Sequence, residues 1–169
     1  MLKLYNSLTN SKQDFKPIST SRVSIYSCGP TVYDRVHIGN VRSFLLPDLL
    51  QRVLRHTQNL DVEWVMNITD IDDKIIRRAN ENREEFTALT ERFIGYMHED
   101  EQALGILRPD IEPRATHFIG EIIHMVQQLI DKDLAYAADN GDVYYSVASF
   151  PDYARLSRKH PEELLAGAR

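Results

Sequence analysis

The stretch Cys28-Gly29-Pro30-Thr31-Val32-Tyr33-Asp34-Arg35-Val36-His37-Ile38-Gly39-Asn40-Val41-Arg42 decides the fold. Before it, Val23-Ser24-Ile25-Tyr26-Ser27-Cys28 alternates apolar with small polar side chains, which is a strand pattern, and Gly29-Pro30 ends the strand. After it, Val41, Phe44, Leu45, Leu49, Leu50, Val53 and Leu54 fall on one helical stripe across residues 40–57, with Arg42, Asp48, Gln51, Arg52 and Arg55 outside it. Pro47 breaks the pattern. An interior proline costs about 3 kcal/mol, so the helix either kinks there or becomes regular only from Pro47. Residues 61–67 alternate again and predict a second strand. Strand, helix, strand is a parallel βαβ unit with a crossover helix. Sites in such sheets lie beyond the C-terminal strand ends, here Cys28-Gly29-Pro30 and Asn67-Ile68-Thr69-Asp70.

Further along, the spacing predicts helices over residues 72–80, 84–104 and 114–132, and a last one opening at Pro161. Asn140-Gly141 ahead of Asp142-Val143-Tyr144-Tyr145 is a hairpin turn. The prolines between residues 109 and 113 are a composition cue for a boundary, giving units of 1–113 and 114–169. The chain has 169 residues, 43% of them hydrophobic and 27% charged, which fits an ordinary globular protein rather than a disordered one. No apolar run reaches the roughly 18–20 residues that span a bilayer, and mean hydropathy is −0.38. One cysteine excludes an internal disulfide and fits a reducing, cytoplasmic compartment. A net charge of −5 argues against a main surface built to grip nucleic acid.

A helix N-terminus offers unpaired N–H groups and a partial positive charge, which suit phosphate. Gly39 would let a ligand approach the backbone, flanked by His37 and Asn40 as donors. The same His-x-Gly pattern also fits a simple helix cap. Cys28 fits either a small apolar core residue or a site residue. Asp72 and Asp73, ahead of Ile75-Ile76, fit a helix N-terminal charge set better than a metal cluster. Asp70, nearer the strand end, is the better site candidate. His56, His98, His117, His124 and His160 are scattered, and the seven-residue spacing of His117 and His124 misses the usual i, i+4 zinc pair. The cluster of Arg155, Arg158 and Lys159 reads as a solvated face.

The residues from Cys28 to Asp34 leading into His37-Ile38-Gly39-Asn40, together with Asn67-Ile68-Thr69-Asp70-Ile71-Asp72-Asp73-Lys74-Ile75-Ile76, resemble the front of the cysteinyl-tRNA synthetases, a family of class I aminoacyl-tRNA synthetases. Residues 1–17, Leu107-Arg108-Pro109, Glu112-Pro113-Arg114-Ala115-Thr116-His117, Asn140-Gly141-Asp142-Val143-Tyr144 and Ala166-Gly167-Ala168-Arg169 extend the resemblance over essentially the whole chain. It implies an α/β fold: part of a Rossmann-like parallel sheet with flanking helices over residues 1–113, then the start of a connective α+β insertion over residues 114–169. It implies ATP-dependent activation of cysteine to cysteinyl-adenylate and transfer to tRNA(Cys). By resemblance His37 and Asn40 are catalytic, and Pro30, His37, Gly39 and Asn40 bind ATP. Gly29, Thr31, Thr69 and Asp70 lie beside the substrate cysteine, and Cys28 is one ligand of a zinc ion that reads the thiol.

The sequence departs from the family in two ways. The first signature usually ends in His, and here it ends in Asn40, which keeps a neutral donor and loses the ring's capacity to carry charge. The family also continues well past residue 169, with the remaining zinc ligands, the lysine-bearing KMSKS loop and the anticodon-binding domain. The expectation is a front portion of the catalytic fold that by itself neither charges tRNA nor holds zinc tightly and that self-associates through an uncovered face. Two alternatives stay open: a stand-alone synthetase-like protein that binds a nucleotide or partner without catalysis, and a relative that joins cysteine to an amino sugar.

Overall fold

The computed structural model describes residues 2–158. The expected helix from Pro161, Lys159 and His160, and the closing Ala166-Gly167-Ala168-Arg169 lie outside the described residues. The chain forms two compact units, one spanning Pro17–Ile119 and the other built from the described residues on either side of it.

The central unit holds the parallel pair. Strand β3 (Arg22–Ser27) runs beside β4 (Asp61–Met66) with Ile25 opposite Trp64 and Ser27 opposite Met66. Helix α1 (Ile38–Gln58) crosses between them. Helices α2 (Asp73–Asn82) and α3 (Phe86–Ala103) follow. The chain then returns, and residues 110–115 run beside the other edge of β4. There Met66 N donates to Ile111 O (3.0 Å), Ile68 N to Pro113 O (2.8 Å) and Ala115 N to Ile68 O (3.1 Å). The prolines that suggested a boundary thus lie against β4 within this unit. A 3-10 turn, Ala115–Phe118, leads out of it.

The core is made where β4 meets the helices. Its buried members include Val32, Phe44, Trp64, Met66, Ile68, Ile75, Leu89, Ile94, Met97 and Ile106. The alternation read in β4 holds: Val62, Trp64 and Met66 are buried while Glu63 and Val65 are partly exposed. The buried Trp64 indole N–H donates to Ser27 Oγ at 2.9 Å, so burial leaves no orphaned donor.

Two expectations for α1 are corrected. The helix is unbroken through the Pro47 position from Ile38, so of the two alternatives the helix regular only from Pro47 is the one overturned. The hydrogen bond that Pro47 cannot donate would have reached Ser43, an exposed residue whose carbonyl water can satisfy. The buried face is also rotated from the one predicted. It carries Val41, Phe44, Pro47, Asp48, Gln51 and Leu54, whereas Leu45, Leu46 and Leu49 are exposed, Leu46 at 69%. Asp48 tolerates burial because its Oδ1 accepts from Leu107 N (3.2 Å) and Gln51 Nε2 (3.3 Å), and its Oδ2 accepts from Arg52 Nε (2.9 Å). Arg52 Nη2 donates to Gly105 O at 2.7 Å, so this polar cluster pins the turn after α3 onto α1.

The second unit contains an antiparallel hairpin of β1 (Lys3–Asn6) and β2 (Ser11–Asp14), which the sequence reading did not resolve. It also contains helix α4 (Ile119–Asp131) and the hairpin of β5 (Ala135–Ala137) and β6 (Val143–Tyr145). The turn between β5 and β6 is the one expected at Asn140-Gly141, with Gly141 at φ 89°. No described helix is long and apolar enough to cross a membrane.

Because Phe44 fills the core and Leu46 does not, the two residues should separate in thermal or urea unfolding. Phe44→Ala is expected to cost about 3–5 kcal/mol, and Leu46→Lys to change stability by less than about 0.5 kcal/mol. Equal losses would put the exposed face of α1 in the core.

Candidate functional site

The two strand-end loops are joined to each other. Val32 N donates to Thr69 O (3.2 Å) and Thr69 N to Pro30 O (3.1 Å), which carries the β3–β4 pairing past the strand ends. Gly29 makes this possible. A Cβ at that position would lie 1.6 Å from Asn67 O and 3.2 Å from Met66 Cγ, so no side chain fits between the loops. Asn67 ties them further. Its Oδ1 accepts from Gly29 N (3.2 Å) and from Tyr26 OH (3.1 Å), and its Nδ2 donates to Thr69 Oγ1 (3.3 Å). Asn67 did not stand out in the sequence as a positioning residue. The one available signal was a polar amide closing an otherwise apolar-alternating strand.

The start of α1 sits beside these loops. His37 is the N-cap, and its Nδ1 accepts from Gly39 N at 3.0 Å. Asn40 Oδ1 accepts from His37 N at 3.1 Å, which completes a capping box built from His and Asn. Both residues therefore do the capping that the His-x-Gly pattern allowed. The same bonds set what remains free. With Nδ1 accepting, the ring proton of neutral His37 resides on Nε2. With Oδ1 accepting, Asn40 keeps its Nδ2 hydrogens to donate. The cap thus leaves two outward donors at the positive end of a 21-residue helix. A Cβ at Gly39 would lie 2.7 Å from His37 Cε1, so a side chain there would push the capping ring aside.

A cleft of about 270 Å³ opens at this point, lined by Pro30, Thr31, His37 and Asn40 among the expected residues. Tyr33, Asp34, Arg35, Val36 and Lys74 also line it. Lys74 Nζ lies 5.7 Å from the centre of the Tyr33 ring and adds a cation that the sequence reading missed. Arg35 stacks 3.9 Å from the Tyr96 ring centre and faces Asp100 at 3.8 Å, while Arg78 pairs with Asp34 at 3.0 Å.

Other expected site residues lie apart from this cleft. Cys28 is exposed at the end of β3, which removes the core-residue alternative for it. Asp70 is buried, and both its oxygens are engaged: Oδ1 accepts from Thr116 N (2.9 Å) and Oδ2 from Thr116 Oγ1 (2.6 Å). Thr69 spends its backbone on the loop junction. Asp72 caps α2, accepting from Lys74 N at 2.8 Å, with Asp73 in the first turn, as the helix-dipole reading of this pair required.

Its likeness to known sequences places the chain in a known class. It belongs to the family described as tRNA synthetases class I (C) catalytic domain, whose model matches residues 14–169. Individual relatives are more specific. The chain is 57% identical over all 169 residues to a cysteine–tRNA ligase of Tolumonas auensis, covering 36% of that protein. It is 56% identical over 169 residues to cysteine–tRNA ligases of Shewanella sediminis and Methylococcus capsulatus, covering 37% and 36% of them. The chain thus spans little more than a third of the length of the curated relatives it matches.

Gly29→Ala tests the loop junction. The added methyl meets backbone rather than a movable side chain, so the expected cost is about 3 kcal/mol or more in urea unfolding. Wild-type stability in Gly29→Ala would mean that the two loops are not in contact.

Proposed function

We propose that the chain supplies the adenylate-forming cradle of a cysteine–tRNA ligase. The observation that carries this is the meeting of two outward donors, His37 Nε2 and Asn40 Nδ2, with the Pro30-Thr31 loop in one cleft at the N-terminus of α1. In this reading residues 1–113 form the front half of a Rossmann-like catalytic domain and residues 114–169 begin the connective insertion, a functional division distinct from the packing units. The working compartment is the cytoplasm.

In the reaction, a carboxylate oxygen of cysteine attacks the α-phosphorus of ATP. The bond to the bridging oxygen breaks, and pyrophosphate leaves with the electron pair. Negative charge rises on the α-phosphate oxygens, and preformed donors stabilise it without reorganising. Those donors are His37 Nε2–H and Asn40 Nδ2–H, with Lys74 adding positive charge at the cleft. Gly39 keeps the first turn open to the phosphates, and Pro30 faces the nucleotide. Gly29, Thr31, Thr69 and Asp70 shape the crevice for the substrate cysteine. Asp70 acts there by holding Thr116, since its oxygens are already engaged. The 3′-terminal hydroxyl of tRNA(Cys) then takes the cysteinyl group, and AMP leaves. The naming of the relatives as cysteine–tRNA ligases favours tRNA over an amino sugar as acceptor.

Zinc is the family's reader of the thiol. A zinc site takes about three protein ligands or more, and among the described residues Cys28 belongs to no group of three potential ligands. The residues described here therefore do not make a zinc site at Cys28. The exposed Cys28 thiol would supply one ligand of such a site. We also assign the expected self-association to the exposed Ile38, Leu45, Leu46 and Leu49.

Calorimetry with a non-hydrolysable cysteinyl-adenylate analogue tests the proposal. Binding is expected at one site per chain, and Asn40→Asp is expected to weaken it about tenfold or more. That variant keeps the acceptor that caps α1 and replaces the free donor with an anionic oxygen facing the phosphate. No binding by the wild type, or equal affinity in Asn40→Asp, would overturn the assignment.

A further inference from the structure

Three side chains that the adenylate cradle does not use converge beside α3. His98 and Glu101 stand three residues apart and so share a face of that helix, and Glu112 approaches from the extended segment beside β4. The ligating atoms of all three lie within 4.8 Å of one another. Glu101 is only 2% exposed, and neither of its carboxylate oxygens accepts a hydrogen bond from any described residue. An ionised carboxylate buried without a partner is among the least favourable arrangements in a protein. Burial, reinforced by the nearby charge of Glu112, pushes the Glu101 carboxyl up to about 7. Glu101 therefore calls for a positive charge.

The neighbouring Arg108 does not supply it. Arg108 Nη2 donates to Glu112 Oε2 at 2.7 Å and lies 2.9 Å from His98 Nε2. It covers the outer side of the cluster and leaves the inner carboxylate unmatched. One guanidinium bonded to Glu112 and His98 leaves the Glu101 carboxyl without a hydrogen-bonded cation.

We propose that His98, Glu101 and Glu112 form a binding site for a divalent transition-metal cation of the zinc class. One imidazole nitrogen and two carboxylate oxygens suit zinc and its first-row neighbours, whereas magnesium and calcium favour all-oxygen sets. Three protein ligands leave a fourth position for water. His98 Nε2 and Glu112 Oε1 are already 3.1 Å apart. Two ligands held at about 2.0–2.1 Å from one tetrahedral zinc ion stand about 3.3 Å apart, so this pair needs almost no movement. Glu101 closes in by side-chain rotation. Arg108, with a side chain 60% exposed, can swing into solvent as the cation arrives. The open cleft lined by His98, Gln102, Leu107 and Arg108 provides the entry path.

The test uses the 169-residue chain carrying Cys28→Ser, so that no thiolate can contribute, after removal of metal with a chelator. Titration with Zn²⁺ is followed by calorimetry, and titration with Co²⁺ by visible absorption. The expected result is one metal ion per chain, with a cobalt spectrum that reports nitrogen and oxygen ligation. His98→Ala and Glu101→Gln should each weaken binding about tenfold or more, whereas Arg108→Ala should bind as well as its parent or better. Glu101→Gln changes no volume, so it decides the matter if His98→Ala fails to fold by circular dichroism. Absence of Zn²⁺ and Co²⁺ binding at submillimolar concentrations would overturn the site, as would unchanged affinity in Glu101→Gln.

Discussion

The contact on which the rest depends is the passage of Gly29 across the backbone of Asn67. Parallel pairing aligns β3 with β4, but the site lies beyond both strands. What holds the two loops together there is a close approach that only glycine allows, sealed by the Asn67 amide and by the reciprocal bonds among Pro30, Val32 and Thr69. With that junction fixed, the chain from Thr31 to Val36 runs on to the start of α1. The cap of α1 then determines which atoms of His37 and Asn40 face outward.

In the proposed function, one set of hydrogen bonds thus serves stability and chemistry together. His37 Nδ1 and Asn40 Oδ1 satisfy helix amides that would otherwise be unpaired. By accepting there, each residue is left with a donor for the cleft. Asn40, where the family usually has His, fits this logic: an amide offers one acceptor for the cap and a donor for the ligand, with no need for a charged ring. The donors at this cleft are held by the fold before any ligand arrives.

Much of this was legible in the sequence, and for physical reasons. Alternation in residues 23–28 and 61–67 follows from one face of each strand meeting the core, and the glycines and prolines mark where the chain must turn. The face of α1 was not legible. Hydrophobic periodicity assumes that polar residues face water, yet Asp48 and Gln51 are buried, and Asp48 is satisfied by Arg52 and the backbone of Leu107. The pairing of residues 110–115 with β4 was not legible, because strand pairing through backbone atoms leaves little trace in side chains. The β1–β2 hairpin was missed because its second strand, Ser11–Asp14, is wholly exposed and carries no alternation. His98 looked scattered because Glu112, its nearest acidic partner, lies 14 residues away and meets it only once the chain has turned back along β4.

In the proposed function the Pro30-Thr31 loop and the His37–Asn40 cap form one ligand cradle. Amide NMR of the isotopically labelled chain during a titration with ATP tests it most directly. The signals of Thr31, Gly39 and Asn40 should shift together along one saturation curve while those of β5 and β6 stay in place. Shifts confined to other parts of the chain, or signals of the loop and the cap that move with separate affinities, would contradict it.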